Sequence, residues 1–307
     1  MRSVILHMHL PKTGGSTLRS ILDREFGGRH YNLSHYRRAG ESTYVRWDDV
    51  GGISGIGGMV PAWDWPEGEV FDMLGRCADA VAVSRHGMLM DPANMGAGGG
   101  GADPRSSEYR LFPVLFLRNP VLWHMSLYRQ QRRDPALVAG TSTDLRVAVA
   151  KTGSLGEYTR FCLDHPEILR VHAPMFNWTE GAVGRMLDHM GLYQIGVTER
   201  FDESLVVAEA ALAEDFPGID LSYPERVNEG KRGATDSEKM GVLREELGGA
   251  MLDELESACP LAVRAYEAAV AEVERRISRI PGFEGRLAGF RERCNSRAGN
   301  TLRRPPP

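Results

Sequence analysis

The chain has 307 residues, 42% of them hydrophobic, which is enough for one sizeable core or two small ones. A formal net charge of −4 and a pI near 6.2 exclude a surface given over as a whole to nucleic acid and leave room only for a local basic pocket. Four cysteines without CxxC or zinc-finger spacing lend no support to a metal or redox motif. With no signal-peptide core and no apolar run of bilayer length, the chain reads as a cytoplasmic protein with inert thiols.

In chain order, Ser3 to His9 (SVILHMH) is an apolar run that predicts a strand, ended by Pro11. After a Gly-rich turn, Leu18, Ile21, Leu22 and Phe26 have helical spacing, which predicts a helix over 16–26. Ala78 to Ser84 and Leu111 to Leu117 are β-branched apolar runs bounded by turn residues, the pattern of strands covered on both faces, and Tyr193 to Val197 is a fourth candidate strand. Helical patterns fall near 120–131, 154–164, 179–190 and 203–213, so strands and helices alternate as in an α/β fold with a parallel sheet. The tract from Asn94 to Pro104 is too rich in glycine for regular structure and reads as a loop. From Asp236 onward the chain is almost all helix. The division expected is one domain over 1–280 with insertions, then a C-terminal helix and an unstructured tail over 281–307.

The densest chemical signal is Pro11-Lys12-Thr13-Gly14-Gly15-Ser16-Thr17 between the first strand and the first helix. Glycines let backbone approach an anion, the helix start supplies N–H groups and a positive dipole end, and Lys12, Thr13, Ser16 and Thr17 add donors. A Walker A loop places its lysine after the glycines, whereas here the lysine precedes them. The strand ending at Leu117 is followed by Arg118-Asn119-Pro120 instead of a magnesium-binding aspartate, which favours a phosphate site that uses no metal. Arg118 offers a fork of donors to phosphate, and Ser126, two helical turns on, adds a hydroxyl on the same side. Among nine histidines, His86 follows an apolar strand and so belongs at the carboxyl edge, where ligands bind in parallel sheets. It is the candidate base, while His7 and His9 read as packing or positioning residues and His35 and His124 have weaker claims.

The segment His9-Leu10-Pro11-Lys12-Thr13-Gly14-Gly15-Ser16-Thr17-Leu18 resembles the phosphosulfate loop of sulfotransferases that use 3′-phosphoadenosine 5′-phosphosulfate (PAPS), and is most like the carbohydrate 2-O-sulfotransferase branch. The resemblance implies a P-loop-like three-layer sandwich with a mainly parallel central sheet flanked by helices. It implies PAPS as co-substrate, 3′-phosphoadenosine 5′-phosphate (PAP) as product, no metal, and a hydroxyl or amine acceptor of small-molecule or glycan type. Lys12 then stands at the leaving group and His86 takes the acceptor proton. Arg118-Asn119-Pro120 with Ser126 and Tyr128 is similar to the family's 3′-phosphate segment, with Asn119 where aspartate is common and Trp123 where a second arginine often sits.

Gly196 to Leu205 resembles a late strand-to-helix segment of carbohydrate sulfotransferases, in which Arg200 reaches the nucleotide; Thr198 and Asp202 are equally readable as helix-start devices. Lys231 and Arg232 lie where the family has a basic segment closing over the cofactor, or else in a solvated charged turn. Asp236 to Ala268 is similar to the family's terminal helices. Trp47, Trp63 and Trp65, with Arg129, Arg132 and Arg133, could line an acceptor cleft or simply serve packing and surface charge. Two other readings stay open, an ATP or GTP phosphotransferase and a nucleotide-binding module without catalysis.

Overall fold

Every residue from Val4 to Leu10 and from Leu111 to Leu117 is buried. A sheet covered on one face would leave alternate positions wet, so continuous burial means that both faces are covered. In the computed structural model, which describes residues 1–33, 71, 74–75, 79–86, 107–134, 145–166, 179–224 and 236–302, these runs are the two central strands of a five-stranded parallel sheet. The strands are β1 (Arg2–His9), β2 (His30–Leu33), β3 (Ala82–His86), β4 (Tyr109–Leu117) and β5 (Gln194–Val197), in the order β2-β3-β1-β4-β5, with every neighbouring pair parallel.

The helices used below are α1 (Gly15–Phe26), α2 (Pro120–Arg133), α3 (Leu145–Thr152), α4 (Leu155–Asp164), α5 (Glu180–Asp188), α6 (Phe201–Leu212), α7 (Asp236–Leu247), α8 (Gly249–Ser257), α9 (Pro260–Ile277) and α10 (Phe283–Leu302). The fold is therefore α/β with an all-parallel sheet, as the alternating pattern predicts. Two strands differ from expectation. β3 runs to His86 instead of ending at Ser84, and β2 was not expected, because His30-Tyr31-Asn32-Leu33 is too short and too mixed to show a period. α3 was likewise not predicted. Pro113, inside β4, sits one residue before the stretch that pairs with β5, so one side of the strand has no ladder to lose there among the described residues.

The chain divides into two compact units, the first comprising Met1–Leu117, Gly184–Glu229 and Ala268–Pro307, the second Arg118–Val183 and Gly230–Glu267. In the first, Ile5, Ala82, Phe112, Val114 and Phe116 project from one face of the sheet onto Leu18, Ile21 and Leu22 of α1, Leu205 and Val206 of α6, and Phe283, Leu287 and Phe290 of α10. Each of the valine, leucine, isoleucine and phenylalanine side chains contributes about 1.5–3 kcal/mol through its removal from water. The same unit carries a chain of ion pairs in which Arg293 reaches Glu209 at 2.7 Å and Asp220 at 3.1 Å, and Arg297 also reaches Asp220.

In the second unit, Val121, Leu122 and Met125 of α2 pack with Tyr158 and Cys162 of α4, Leu243 of α7, and Leu252 and Leu255 of α8. Cys162 and Cys259 are buried free thiols, and burial, helped by the charge of Glu256, pushes Cys259 up to about 12, well away from reactive thiolate. Among the described residues no helix is long and apolar enough to cross a membrane. Cys77, the glycine tract 94–104 and the tail 303–307 lie outside the described residues.

Candidate anion site at the carboxyl edge of the sheet

From β1 the chain crosses to β2 on one side of the sheet, whereas from β4, which flanks β1 on the other side, it goes outward to β5. The connections leaving β1 and β4 thus diverge, and the crevice between two such carboxyl ends is where parallel α/β sheets take ligands. The loop from Leu10 to Gly14 leaves β1 at this point. On the far side Thr198 Oγ1 donates to the carbonyl of Leu117 at 3.0 Å, tying the end of β4 to the segment after β5.

The loop is tightly determined. Leu10 is wholly buried, and its amide returns to the Met8 carbonyl at 3.2 Å; Thr13, also buried, donates its hydroxyl back to the Leu10 carbonyl at 2.9 Å. Lys12 takes φ 64°, the one non-glycine residue in the left-handed region among those described. That conformation costs an L-residue about 1–2 kcal/mol and persists only where the surroundings impose it. Gly14 follows at φ 84° and caps α1 with no side-chain hydrogen bond.

Both glycines are required by close neighbours as well as by dihedral. A Cβ at Gly14 would stand 2.7 Å from Cε2 of Phe201, and one at Gly15 1.9 Å from Cδ2 of His9. The carbonyl of Gly14 accepts from the amides of Thr17 and Leu18 at 2.9 and 3.2 Å. The amides of Gly15 and Ser16, at the first two helical positions, have no intrahelical acceptor, and no side chain caps them. Pro11, Lys12, Gly14 and Ser16 are half-buried, while Thr13, Gly15 and Thr17 are buried. The loop thus sets a lysine beside bare helix amides and the positive end of a dipole, the kind of arrangement that suits a phosphate or sulfate group.

No protein-family model, curated protein or solved structure matches the chain. Its chemistry has to be read from its own residues.

His86 is the last residue of β3 and the register partner of His9, so its backbone lies at the carboxyl edge beside the strand that feeds the loop. Arg200, in the same unit, is engaged by acids: Nη1 meets Glu274 at 3.0 Å, and Nη2 and Nε meet Glu203 at 3.0 and 3.2 Å. A guanidinium held by two carboxylates serves first to lock α6 to α9. Neither Thr198 nor Asp202 caps α6, since the threonine bonds Leu117 and the aspartate accepts from Tyr223 and Arg291.

Arg118 and Ser126 belong to the second compact unit, Arg118 just before α2 and Ser126 half-buried on it. Asn119 is the N-cap of α2, its side-chain oxygen accepting from Val121 N at 3.0 Å and Leu122 N at 3.2 Å, a task asparagine performs as well as aspartate. Trp123 is completely buried, an interior side chain. His124 is buried too. Desolvation, with the nearby charge of Arg146, lowers it to about 3, and its Nε2 pairs with Thr159 Oγ1 at 3.1 Å, which makes it a neutral structural group.

Arg129 and Arg132 line a cleft of about 410 Å³ with Tyr128, Ser154, Leu155, Gly156 and Glu246. Arg132 is occupied there by the Tyr128 hydroxyl at 3.0 Å and the carbonyls of Ala150 and Gly153. Arg133 is exposed at the end of α2. Lys231, Arg232, His35, Trp47, Trp63 and Trp65 lie outside the described residues.

Sequence reasoning missed a group of polar residues beneath the loop. His7 Nδ1 lies 2.8 Å from Ser84 Oγ, Ser84 Oγ 2.8 Å from His30 Nε2, and His30 Nδ1 2.6 Å from Asp23 Oδ1. The only signal in the sequence was polar residues at sheet-facing positions, and their mutual pairing became visible once the strand order was known.

Proposed function

We propose that the chain is a sulfotransferase that moves the sulfuryl group of PAPS to a hydroxyl or amine acceptor of carbohydrate type, on a P-loop-like three-layer sandwich. The observation that carries this reading is the strand–loop–helix from His9 to Thr17, with left-handed Lys12 ahead of an uncapped helix start. A strained non-glycine residue at a ligand crevice is a mark of function, because glycine would adopt the same turn without cost.

In the proposed reaction the acceptor oxygen or nitrogen forms a bond to sulfur as the bond from sulfur to the bridging oxygen breaks. The sulfuryl group passes in line, and the transition state carries its negative charge towards the departing phosphate. Lys12 and the amides of Gly15 and Ser16 stabilise that charge, and His86 receives the acceptor's proton. The resemblance assigns Arg118 and Ser126 to the 3′-phosphate and Lys231 and Arg232 to nucleotide binding. Arg200 joins them only by exchanging Glu203 and Glu274 for the ligand.

Incubating the purified protein with sulfur-labelled PAPS and pools of glycan and small-molecule acceptors tests the proposal. A product heavier by one sulfuryl group is the expected result. Transfer from ATP with none from PAPS would establish the phosphotransferase reading instead, and PAP binding with no transfer to any acceptor would leave a nucleotide-binding module.

A further inference from the structure

The polar chain beneath the loop is not used by the transfer chemistry above. Its members come from four elements: Asp23 from α1, His30 from β2, Ser84 from β3 and His7 from β1. His30, Ser84 and His7 are at most 1% exposed, whereas the Asp23 side chain is 28% exposed, so the chain has one wet end and a dry interior. Beyond His7 the contact continues by stacking, with the His9 ring 5.3 Å away at an interplanar angle of 18°. The edge of His9 then fills the space that a side chain at Gly15 would need.

Asp23, His30 and Ser84 have the separations of an acid, a base and a nucleophile. Ser84 cannot act as one, because it is enclosed and its oxygen is shared between two imidazoles. Counting hydrogens gives the direction of the chain. The carboxylate of Asp23 only accepts, so His30 donates from Nδ1; with no hydrogen on its Nε2, that atom accepts the single hydrogen of Ser84. The oxygen of Ser84 accepts in turn from His7, which is held as its Nδ1–H tautomer with a fixed ring plane.

We propose that this relay is a positioning device for the anion loop, clamping α1 to the sheet at two points. At its carboxyl end Asp23 is tied to β2 through His30; at its amino end Gly15 rests on His9, which takes its orientation from His7. The amides that face the anion are those of the first turn, directly above the second point. His7, Ser84 and His30 are thus positioning residues, and a change at Ser84 reaches the loop without touching any ligand. The identity of the anion rests on the donor reading above, while the relay itself does not.

Selective nitrogen-15 labelling of histidine and backbone amides, combined with calorimetric titration of PAP at pH 8, tests the inference on wild type, Ser84→Ala, Ser84→Thr and Asp23→Ala. In wild type His7 is expected as the Nδ1–H tautomer. Ser84→Ala is expected to lose that tautomer, shift the amide signals of Gly14 and Gly15, and weaken PAP binding about tenfold at temperatures well below its melting transition. Ser84→Thr keeps the hydroxyl and should return binding to within about twofold; Asp23→Ala, where water can replace the carboxylate, should weaken it about threefold. An Nε2–H tautomer of His7 in wild type, or Gly14 and Gly15 amides unmoved in Ser84→Ala, would overturn the relay. Failure of wild type to bind PAP would instead remove the donor reading, and the relay would then be judged on the amide shifts and on titration with inorganic sulfate.

Discussion

The first turn of α1 and the first turn of α4 meet the same physical problem in opposite ways. Every helix begins with amides that have no intrahelical acceptor. At α4 the sequence supplies its own answer, a capping box in which Ser154 Oγ accepts from Glu157 N at 3.2 Å and Glu157 Oε2 accepts from Ser154 N at 2.7 Å. α2 does likewise with Asn119. At α1 the cap is a glycine with no side chain to offer, placed where the sheet opens its crevice and preceded by a strained lysine. Among the described helices α6 and α8 also start without a side-chain cap, so what sets α1 apart is an open start that coincides with a left-handed lysine just past the end of β1.

Five substitutions, the last of them followed against pH, can break this contrast, starting with the most severe. Gly15→Ala would drive a methyl into His9, and since the obstacle is a buried ring the loss should reach about 3 kcal/mol in denaturant unfolding, with PAP binding abolished. Unchanged stability would show that His9 does not support the loop. Lys12→Ala should lower turnover about 100-fold, the usual magnitude for one group that stabilises developing charge, and weaken PAP binding much less. Equal losses in both would mean that the lysine binds the ground state only.

Ser154→Ala and Asn119→Ala should each cost about 1 kcal/mol of unfolding free energy. For Ser154→Ala, PAP affinity should stay at the wild-type value, because the closed helix start has no share in the anion site. The smallest effect concerns pH. The backbone amide of Ser154, and then its hydroxyl, hold the Glu157 carboxyl below its ordinary value. A depressed carboxyl contributes stability above its unfolded-state pKa and loses it as pH falls through the folded value. Acid melting curves of wild type and Glu157→Gln should therefore converge as pH drops below the ordinary glutamate range, and a constant separation would contradict the capping role.

How much of this was legible depended on distance along the chain. β1, the loop and α1 were readable because the apolar run, the paired glycines and the helical spacing of Leu18, Ile21 and Leu22 lie within a few turns of one another. β2 was not, since His30 to Leu33 become a strand only by pairing with β3, more than a small hairpin's length away. The arginine at the start of α6 could be seen, but not that Glu274 on α9 would meet it. Asn119 looked like a defect in a phosphate motif until its side chain was found on the amides of α2. Lys12 was legible as a donor, whereas its left-handed backbone was not, because lysine carries no sequence signature for that conformation.

Calorimetric titration of the intact chain with PAP, and in parallel with ATP and magnesium, tests the central claim most directly. The account predicts saturable binding of PAP that needs no magnesium and is lost in Gly15→Ala. Binding of magnesium–ATP in preference to PAP, or PAP binding that survives in Gly15→Ala, would contradict it.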